Sequence, residues 1–368
     1  MDAMDHIAAV AEYAEHVWID AVHEEWVPPE VKGTLSGKKS QPRTYINKVD
    51  TRREHAQALE IYREARQMAR SLLNGLRFGS VINGTEAKAT VKSCVDSVLR
   101  NPDALIWMSK IRSQDEYTAE HCLNVCILAI AFGRHLGRSE AELEKLGLCG
   151  LLHDVGKMRV PSEVLNKPAK LTEKEFNMIK AHATHGRNLL MASKGIPNSA
   201  VDVAYSHHEK VDGSGYPRQL SSAGISDLAK IVAIVDAYDA MTADRCYSEG
   251  IPSTEALKII FKDRGTHFDD RLALEFIKSV GLYPPGTLVE LVNGLIAIVF
   301  ETNAKFRHLP SVIAVNQQQE PLDKKRLIHL AEIEKGLLSK DYLIKRALKD
   351  GSFGVSVREY GDLGLSIS

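Results

Sequence analysis

The sequence predicts a mainly α-helical protein: a helical bundle with a helical N-terminal adaptor and a small β-rich segment at its C-terminal end. Three observations support this. Between residues 52 and 282 apolar residues recur at three- and four-residue steps, the period of helices with one buried face. Asn-Pro, Lys-Pro and glycine-rich strings interrupt that pattern, as connections between packed helices do. After Tyr283-Pro284-Pro285-Gly286 the texture changes to β-branched residues around Asn293-Gly294, a strong signal for a tight hairpin.

The first fifty residues combine a short amphipathic stretch with a loop punctuated by Pro28-Pro29, Gly33 and Lys38-Lys39. From Arg52 to Leu76 the positions Ala58, Ile61, Ala65, Met68, Ala69 and Leu72 form one helical face, ending near Gly75. A second helix fits Thr85–Leu99, with Thr85 as its N-cap and Val91, Val95 and Val98 on one side. Further helices are expected over Ala119–Leu136, Glu140–His153, Thr172–Ser193, Asn198–His208, Asp227–Ala243 and Ser253–Lys262. Thr172 followed by Glu175 is a capping box. A strand is expected in SVIAV at Ser311, and a closing helix over Lys335–Lys349. The expected partition is residues 1–100 as a regulatory adaptor, 101–283 as the functional domain, and 284–368 as a hairpin and helix extension.

At 44% hydrophobic and 26% charged residues, with a net charge of −1, the chain reads as a soluble globular protein. No bulk charge favours a nucleic acid polymer as partner. No apolar run is long enough for a bilayer, and no signal peptide is read at the start, so a cytoplasmic protein without membrane attachment is expected. The five cysteines lack CxxC spacing; Cys122 and Cys126, one turn apart, read as reduced core thiols.

The histidines carry the chemistry. Of 14, His121, His135, His153, His182, His185, His207 and His208 fall within one helical stretch. The strings around them are LLHDVGK, IKAHATHG and HHEKVDGSGYP, with IVDAYDAMTADR adding acids on an apolar helix. Neutral imidazoles with carboxylates suit a borderline divalent cation such as Fe, Mn, Zn or Ni. His153 and Asp154 are adjacent, so on a helix they diverge by about 100° and serve different sides of one site. A carboxylate there has two oxygens with which to bridge two ions. His121 and Asp236 sit on otherwise apolar helices, as inward ligands of a bundle do. A lone histidine is more often an ordinary core or surface residue; the joint pattern is what packing does not explain. His135 is expected to serve the dipole at a helix C-terminus, and His185 to lie on the surface.

These residues resemble a known family. His153-Asp154-Val155-Gly156-Lys157 is similar to the HDxxGK motif of the HD-GYP phosphodiesterases of the HD superfamily, Gly215-Tyr216-Pro217 to the element that names them, DAYDAMTADRCY to their DxxDAMTxxRxY segment, and EYTAEHCLNV to DEYTxxHSxNV. The resemblance covers residues 115 to 282. It implies a helical HD bundle with metal ligands His121, His153, Asp154, His182, His207, His208 and Asp236, Asp154 bridging two divalent ions, iron or manganese, with zinc or nickel as alternatives. It further implies cyclic di-GMP as substrate, cut by a metal-bridging hydroxide to pGpG and in some members to GMP. Lys157 would lie against the scissile phosphate, Arg245 would pair with a phosphate or guanine, and Tyr216, with Gly215 and Pro217 shaping its loop, would contact the ligand. A homodimer or signalling proteins are the partners left open.

Two departures qualify this. Where some members carry a glutamate for a third metal, this chain has Tyr117, which favours two ions over three without closing the question. Ser248 stands where members often have a basic residue, leaving the choice between cyclic di-GMP and cyclic GMP-AMP open. The competing readings are a non-hydrolysing cyclic di-GMP receptor and another HD-type nucleotide phosphohydrolase.

Overall fold

The computed structural model describes residues 43–111, 117–243, 250–315, 327–357 and 360. Two helices come first. α1 (Thr51–Arg77) is capped by Asp50, whose carboxylate accepts the Arg53 amide. α2 (Gly84–Arg100) starts one residue before the expected cap: Asn83, not Thr85, accepts the Thr85 and Glu86 amides, since its side chain reaches the free N–H groups of the first turn. A short α3 (Pro102–Met108) follows, a helix the sequence reading did not resolve.

α4 (Tyr117–His135) and α5 (Glu140–Leu152) form the heart of the bundle. Both are apolar almost all round, so burial on every side rather than an amphipathic stripe sets their place. Their close approach depends on Gly150: a Cβ there would sit 2.9 Å from the Cys126 Cα and 3.0 Å from its nitrogen. Cys94, Cys122, Cys126 and Cys149 are buried free thiols, as expected. Buried residues of α1 and α2, including Ala58, Tyr62, Val91 and Val95, join the same core as Leu123, Ile127 and Leu151.

After α5 the chain makes a 3₁₀ turn (Val155–Arg159) and a one-turn α6 (Ser162–Leu165). The expected Thr172–Ser193 helix is two helices, α7 (Glu173–Lys180) and α8 (His182–Ala192). At the break the Ile179 carbonyl accepts both the Ala181 amide and the His182 imidazole, so a side chain competes for the backbone acceptor. The Thr172–Glu175 capping box is present. α9 (Asn198–Ser206), α10 (Asp227–Thr242), α11 (Ser253–Lys262) and α12 (Asp270–Val280) complete the described helices.

The C-terminal sheet is antiparallel and its five strands, β1 (Leu288–Leu291), β2 (Ile296–Glu301), β3 (Ser311–Val315), β4 (Leu327–His329) and β5 (Ile344–Leu348), are ordered β4-β3-β2-β1-β5. β1 and β2 form the hairpin at Asn293-Gly294, and β3 the further strand, both as expected. Side chains alternate: Leu288, Ile296, Ile298, Phe300 and Ile313 join the helical core, whereas Val289, Leu291, Ala297, Val299 and Val312 line a second cluster. Burial on both faces explains the unbroken apolar strands.

The expected helix over Lys335–Lys349 is absent. A 3₁₀ segment (Leu330–Lys335) ends at Gly336 with φ +68°, and Ile344–Leu348 instead forms β5, pairing with β1. The unpaired edge of β1 supplies backbone partners that outweigh a weak local helical preference. No helix among the described residues is long and apolar enough to cross a membrane.

Candidate metal centre

Four helix ends and one helix middle deliver the site. His121 lies in the first turns of α4, His153 follows the last residue of α5 with Asp154 next to it, His182 opens α8, His207 and His208 follow α9, and Asp236 is midway along α10. All seven expected ligands therefore converge. They form two groups of donor atoms, His121, His153, Asp154 and Asp236, and Asp154, His182, His207 and His208, with all atoms of each group within 4.8 Å of one another. Asp154 belongs to both.

Its two oxygens face different groups. Oδ2 lies 3.5 Å from His121 Nε2 and 3.3 Å from His153 Nε2, while Oδ1 lies 3.3 Å from His182 Nε2 and 3.7 Å from His207 Nε2. Asp236 Oδ1 completes the first group at 2.9 Å from His121 Nε2.

The imidazoles are held by their other nitrogen. Nδ1 of His153 donates to the Gly150 carbonyl at 2.7 Å, that of His182 to Ile179 at 2.6 Å, that of His207 to Val203 at 3.1 Å, and that of His121 to Asp239 Oδ2 at 2.8 Å. With the proton on Nδ1, each Nε2 lone pair points inward, the arrangement found around metal-binding histidines.

The donor set fits a cation on a direct observation. His153 Nε2 and Asp154 Oδ1 are buried and lack a hydrogen-bond partner. Unpaired buried polar atoms are costly, and a cation held by each group would satisfy both atoms. The electrostatics agree. Burial opposes ionisation of Asp154, yet the Lys157 ammonium and His153 hold its carboxyl well below the usual range. Burial likewise opposes ionisation of Asp236, yet the neighbouring His121 and His153 hold its carboxyl well below the usual range. Burial pushes His182 down to about 3, and burial together with His207 and His182 holds His208 well below its ordinary value. Ionised carboxylates and neutral imidazoles are the forms that bind metal. His153 is the exception: burial disfavours its charge, but Asp154 and Asp236 raise it to about 10.

Lys157 follows Asp154 by three residues, and its Nζ donates to Asp154 Oδ2 while its side chain keeps 19% exposure. The ammonium thus sits at the edge of the cluster, within reach of solvent. Gly156, between them, is where the turn meets α8. A Cβ there would lie 2.9 Å from the His182 carbonyl carbon and closer still to the His182 oxygen and Gly186 nitrogen.

The GYP loop folds back over the two histidines. A Cβ on Gly215 would sit 2.6 Å from the His208 oxygen, and the Tyr216 amide donates to that oxygen at 3.1 Å. The Tyr216 ring stacks on His208, centroids 4.7 Å apart and planes inclined by 28°. Pro217 is exposed. Glu209, buried, accepts the Arg218 and Leu220 amides at 2.7 and 2.9 Å and pins the loop.

Arg245, Ser248 and the side chain of Tyr117 lie outside the described residues. His185 is half-buried in α8 and belongs to neither ligand group, and its Nδ1 is buried without a partner, so it is less of a surface residue than expected. His135 ends α4 and bonds Glu275 Oε2 at 3.0 Å. Sequence reasoning missed Asp239, Glu209 and the contact at Gly156. Only Asp239 had a signal, its position one turn after Asp236 on the same helix face.

Residues 104–272 match the family model described as HD domain. Over 242 residues the chain is 40% identical to the cyclic di-GMP phosphodiesterase PA4108 of Pseudomonas aeruginosa, covering 66% of this chain and 58% of that protein. It is 42% identical over 138 residues to the cyclic di-GMP phosphodiesterase response regulator RpfG of Xanthomonas campestris, 37% of this chain and 36% of the relative. It is also 33% identical over 174 residues to the 3'3'-cGAMP-specific phosphodiesterase 3 of Vibrio cholerae, 47% of this chain and 38% of the relative. The chain thus spans less than two thirds of the length of these relatives. A solved HDG"Y"P protein from Bdellovibrio bacteriovorus, Bd1817, shares the fold with a TM-score of 0.52 at 21% identity, over 62% of this chain and 72% of that one. Over residues 104–272 the chain is thus similar to the HD-domain proteins. Its His-Asp, His-His and GYP segments resemble those of the HD-GYP type.

Proposed function

We propose that this protein is a metal-dependent phosphodiesterase that linearises cyclic di-GMP to pGpG, with GMP as a further product. The observation that carries this reading is Asp154, whose two oxygens face two separate ligand groups in the middle of an HD-GYP-type sequence. That geometry supports two divalent ions, iron or manganese, held by His121, His153, Asp154 and Asp236 on one side and by Asp154, His182, His207 and His208 on the other. When bound, such ions supply Lewis acidity and lower the pKa of water to near neutrality.

The chain's own groups do the rest. Nδ1 hydrogen bonds to backbone and to Asp239 keep the imidazoles oriented, so no reorganisation is needed as charge develops. Lys157 places an ammonium at the cluster edge, where it neutralises charge on the equatorial phosphate oxygens. Arg245 would bind a second phosphate or a guanine. Tyr216 holds His208 by stacking and, because burial raises its phenol pKa, remains a hydrogen-bond donor. Residues 101–283 make up this catalytic part, with residues 1–100 as regulatory adaptor and 284–368 as extension.

Chromatography of products after incubating manganese- or iron-loaded protein with cyclic di-GMP tests the reading. Appearance of pGpG is expected; binding without any pGpG or GMP would replace the enzyme with a receptor. The same assay with 3'3'-cyclic GMP-AMP, the substrate class in the name of one relative, reports the choice of base.

A further inference from the structure

A cyclic dinucleotide has two bases and two phosphates, and a cluster that engages one phosphate leaves half of the molecule to be held elsewhere. The described surface next to the cluster has a strip suited to that half. Tyr216 stacks on His208. The Lys180 ammonium lies 5.7 Å from the centre of the Tyr216 ring and 4.6 Å from that of Phe176. Phe176 is 46% exposed. Histidine, tyrosine, lysine and phenylalanine thus form a chain of contacts that begins at the ligand group.

The strip is built on α7, which buries none of its residues yet is held by its capping box and by Lys167, whose ammonium contacts both oxygens of Glu175 at 2.8 Å. Such a helix gains little from hydrophobic burial, and Phe176 gains nothing from water. Phe176 and Lys180 are four residues apart, so on their own they would be an ordinary surface pair. Tyr216, a ring from a different loop beside the same ammonium, is what a surface pair does not account for. Among the described residues no carboxylate lies within ion-pair distance of Lys180, so its charge is available to an anion.

We infer that Phe176, Lys180 and Tyr216 form a ledge that holds the uncleaved half of the dinucleotide, with Phe176 under its base and Lys180 on its phosphate. The inference rests on the phosphodiesterase reading above. An exposed ring beside an ammonium matches a base beside its phosphate, and stacking of this kind tolerates either purine because each has a π-face. The ledge therefore accepts guanine and adenine alike, and discrimination between them falls to other residues.

Steady-state kinetics on the full chain with cyclic di-GMP tests this, together with metal stoichiometry. Lys180→Gln and Phe176→Ala should each raise KM about tenfold, the scale of one charge-assisted or stacking contact, with kcat within about threefold of wild type and metal content retained. Lys180→Arg and Phe176→Trp should restore KM. Either Gln or Ala variant keeping KM within about twofold overturns the ledge. So does a joint fall of kcat and metal content, which would mean that α7 acts only by positioning His182. Wild-type protein that does not turn over cyclic di-GMP overturns the phosphodiesterase reading, and the ledge with it; active wild type with unaffected variants overturns the ledge alone.

Discussion

Gly156 couples the His153-Asp154 turn to the helix that presents His182, and replacing it with alanine tests that coupling. The added Cβ would lie 2.9 Å from the His182 carbonyl carbon, whereas carbon atoms pack at about 3.5–4.0 Å. The start of α8 must therefore retreat by roughly 0.6–1 Å, and more to clear the His182 oxygen. Overpacking of this kind costs about 1–3 kcal/mol, a few degrees of melting temperature in a domain of this size. Function should suffer far more, because a misplacement of about 1 Å at a reacting centre costs on the order of 100-fold in rate. The assay is turnover of cyclic di-GMP with metal content measured on the same preparation, and circular dichroism to show that the variant folds. Gly186→Ala is the matched control: its Cβ meets the Gly156 nitrogen at 3.4 Å and the Ala204 Cβ at 3.5 Å, ordinary contacts, in a helix that alanine favours over glycine by about 1 kcal/mol. It should fold at least as well as wild type and keep its rate within about threefold. A Gly156→Ala variant with wild-type rate and metal content would refute the reasoning.

Two other predictions concern groups outside the seven-residue ligand set. Asp239→Ala removes the acceptor of the His121 Nδ1 proton and should weaken metal affinity about 10- to 100-fold, read by chelator competition. Asp239→Asn should recover much of the loss, and unchanged affinity in the alanine variant would show that His121 needs no such support. Asp103 is buried in the first turn of α3, where its carboxylate accepts the amide and hydroxyl of Thr302, just after β2, at 2.7 and 2.8 Å. Burial raises its pKa to about 6, with the Thr302 bonds acting the other way. Because the folded state then holds the proton more tightly than the unfolded chain, stability falls as pH rises from about 4 to about 6, by roughly 3 kcal/mol for the two-unit difference. Urea unfolding across that window should show the slope in wild type and a reduced one in Asp103→Asn; identical slopes would remove Asp103 from the account.

The residue types and their order were enough to nominate all seven ligands, because a metal site needs imidazoles and carboxylates and packing alone does not place so many on apolar helices. Helix periods and the Asn293-Gly294 turn were equally legible, since both are set by residues near in sequence. The Lys335–Lys349 segment was not: its strand state comes from the edge of β1, some fifty residues earlier in the chain. Nor was the division of Thr172–Ser193, where the His182 side chain takes a backbone acceptor for itself.

By itself, then, the sequence determined the chemistry available to this protein, through donor atoms whose nature does not depend on how the chain folds. Only the tertiary structure decided which oxygen of Asp154 faces which group, that Asp239 orients His121, that Gly156 sets the distance to His182, and that Lys180 lies beside the rings of both Phe176 and Tyr216. Those are relations between segments distant in sequence, fixed by close packing and by the cost of leaving buried polar atoms unpaired, and no local pattern encodes them.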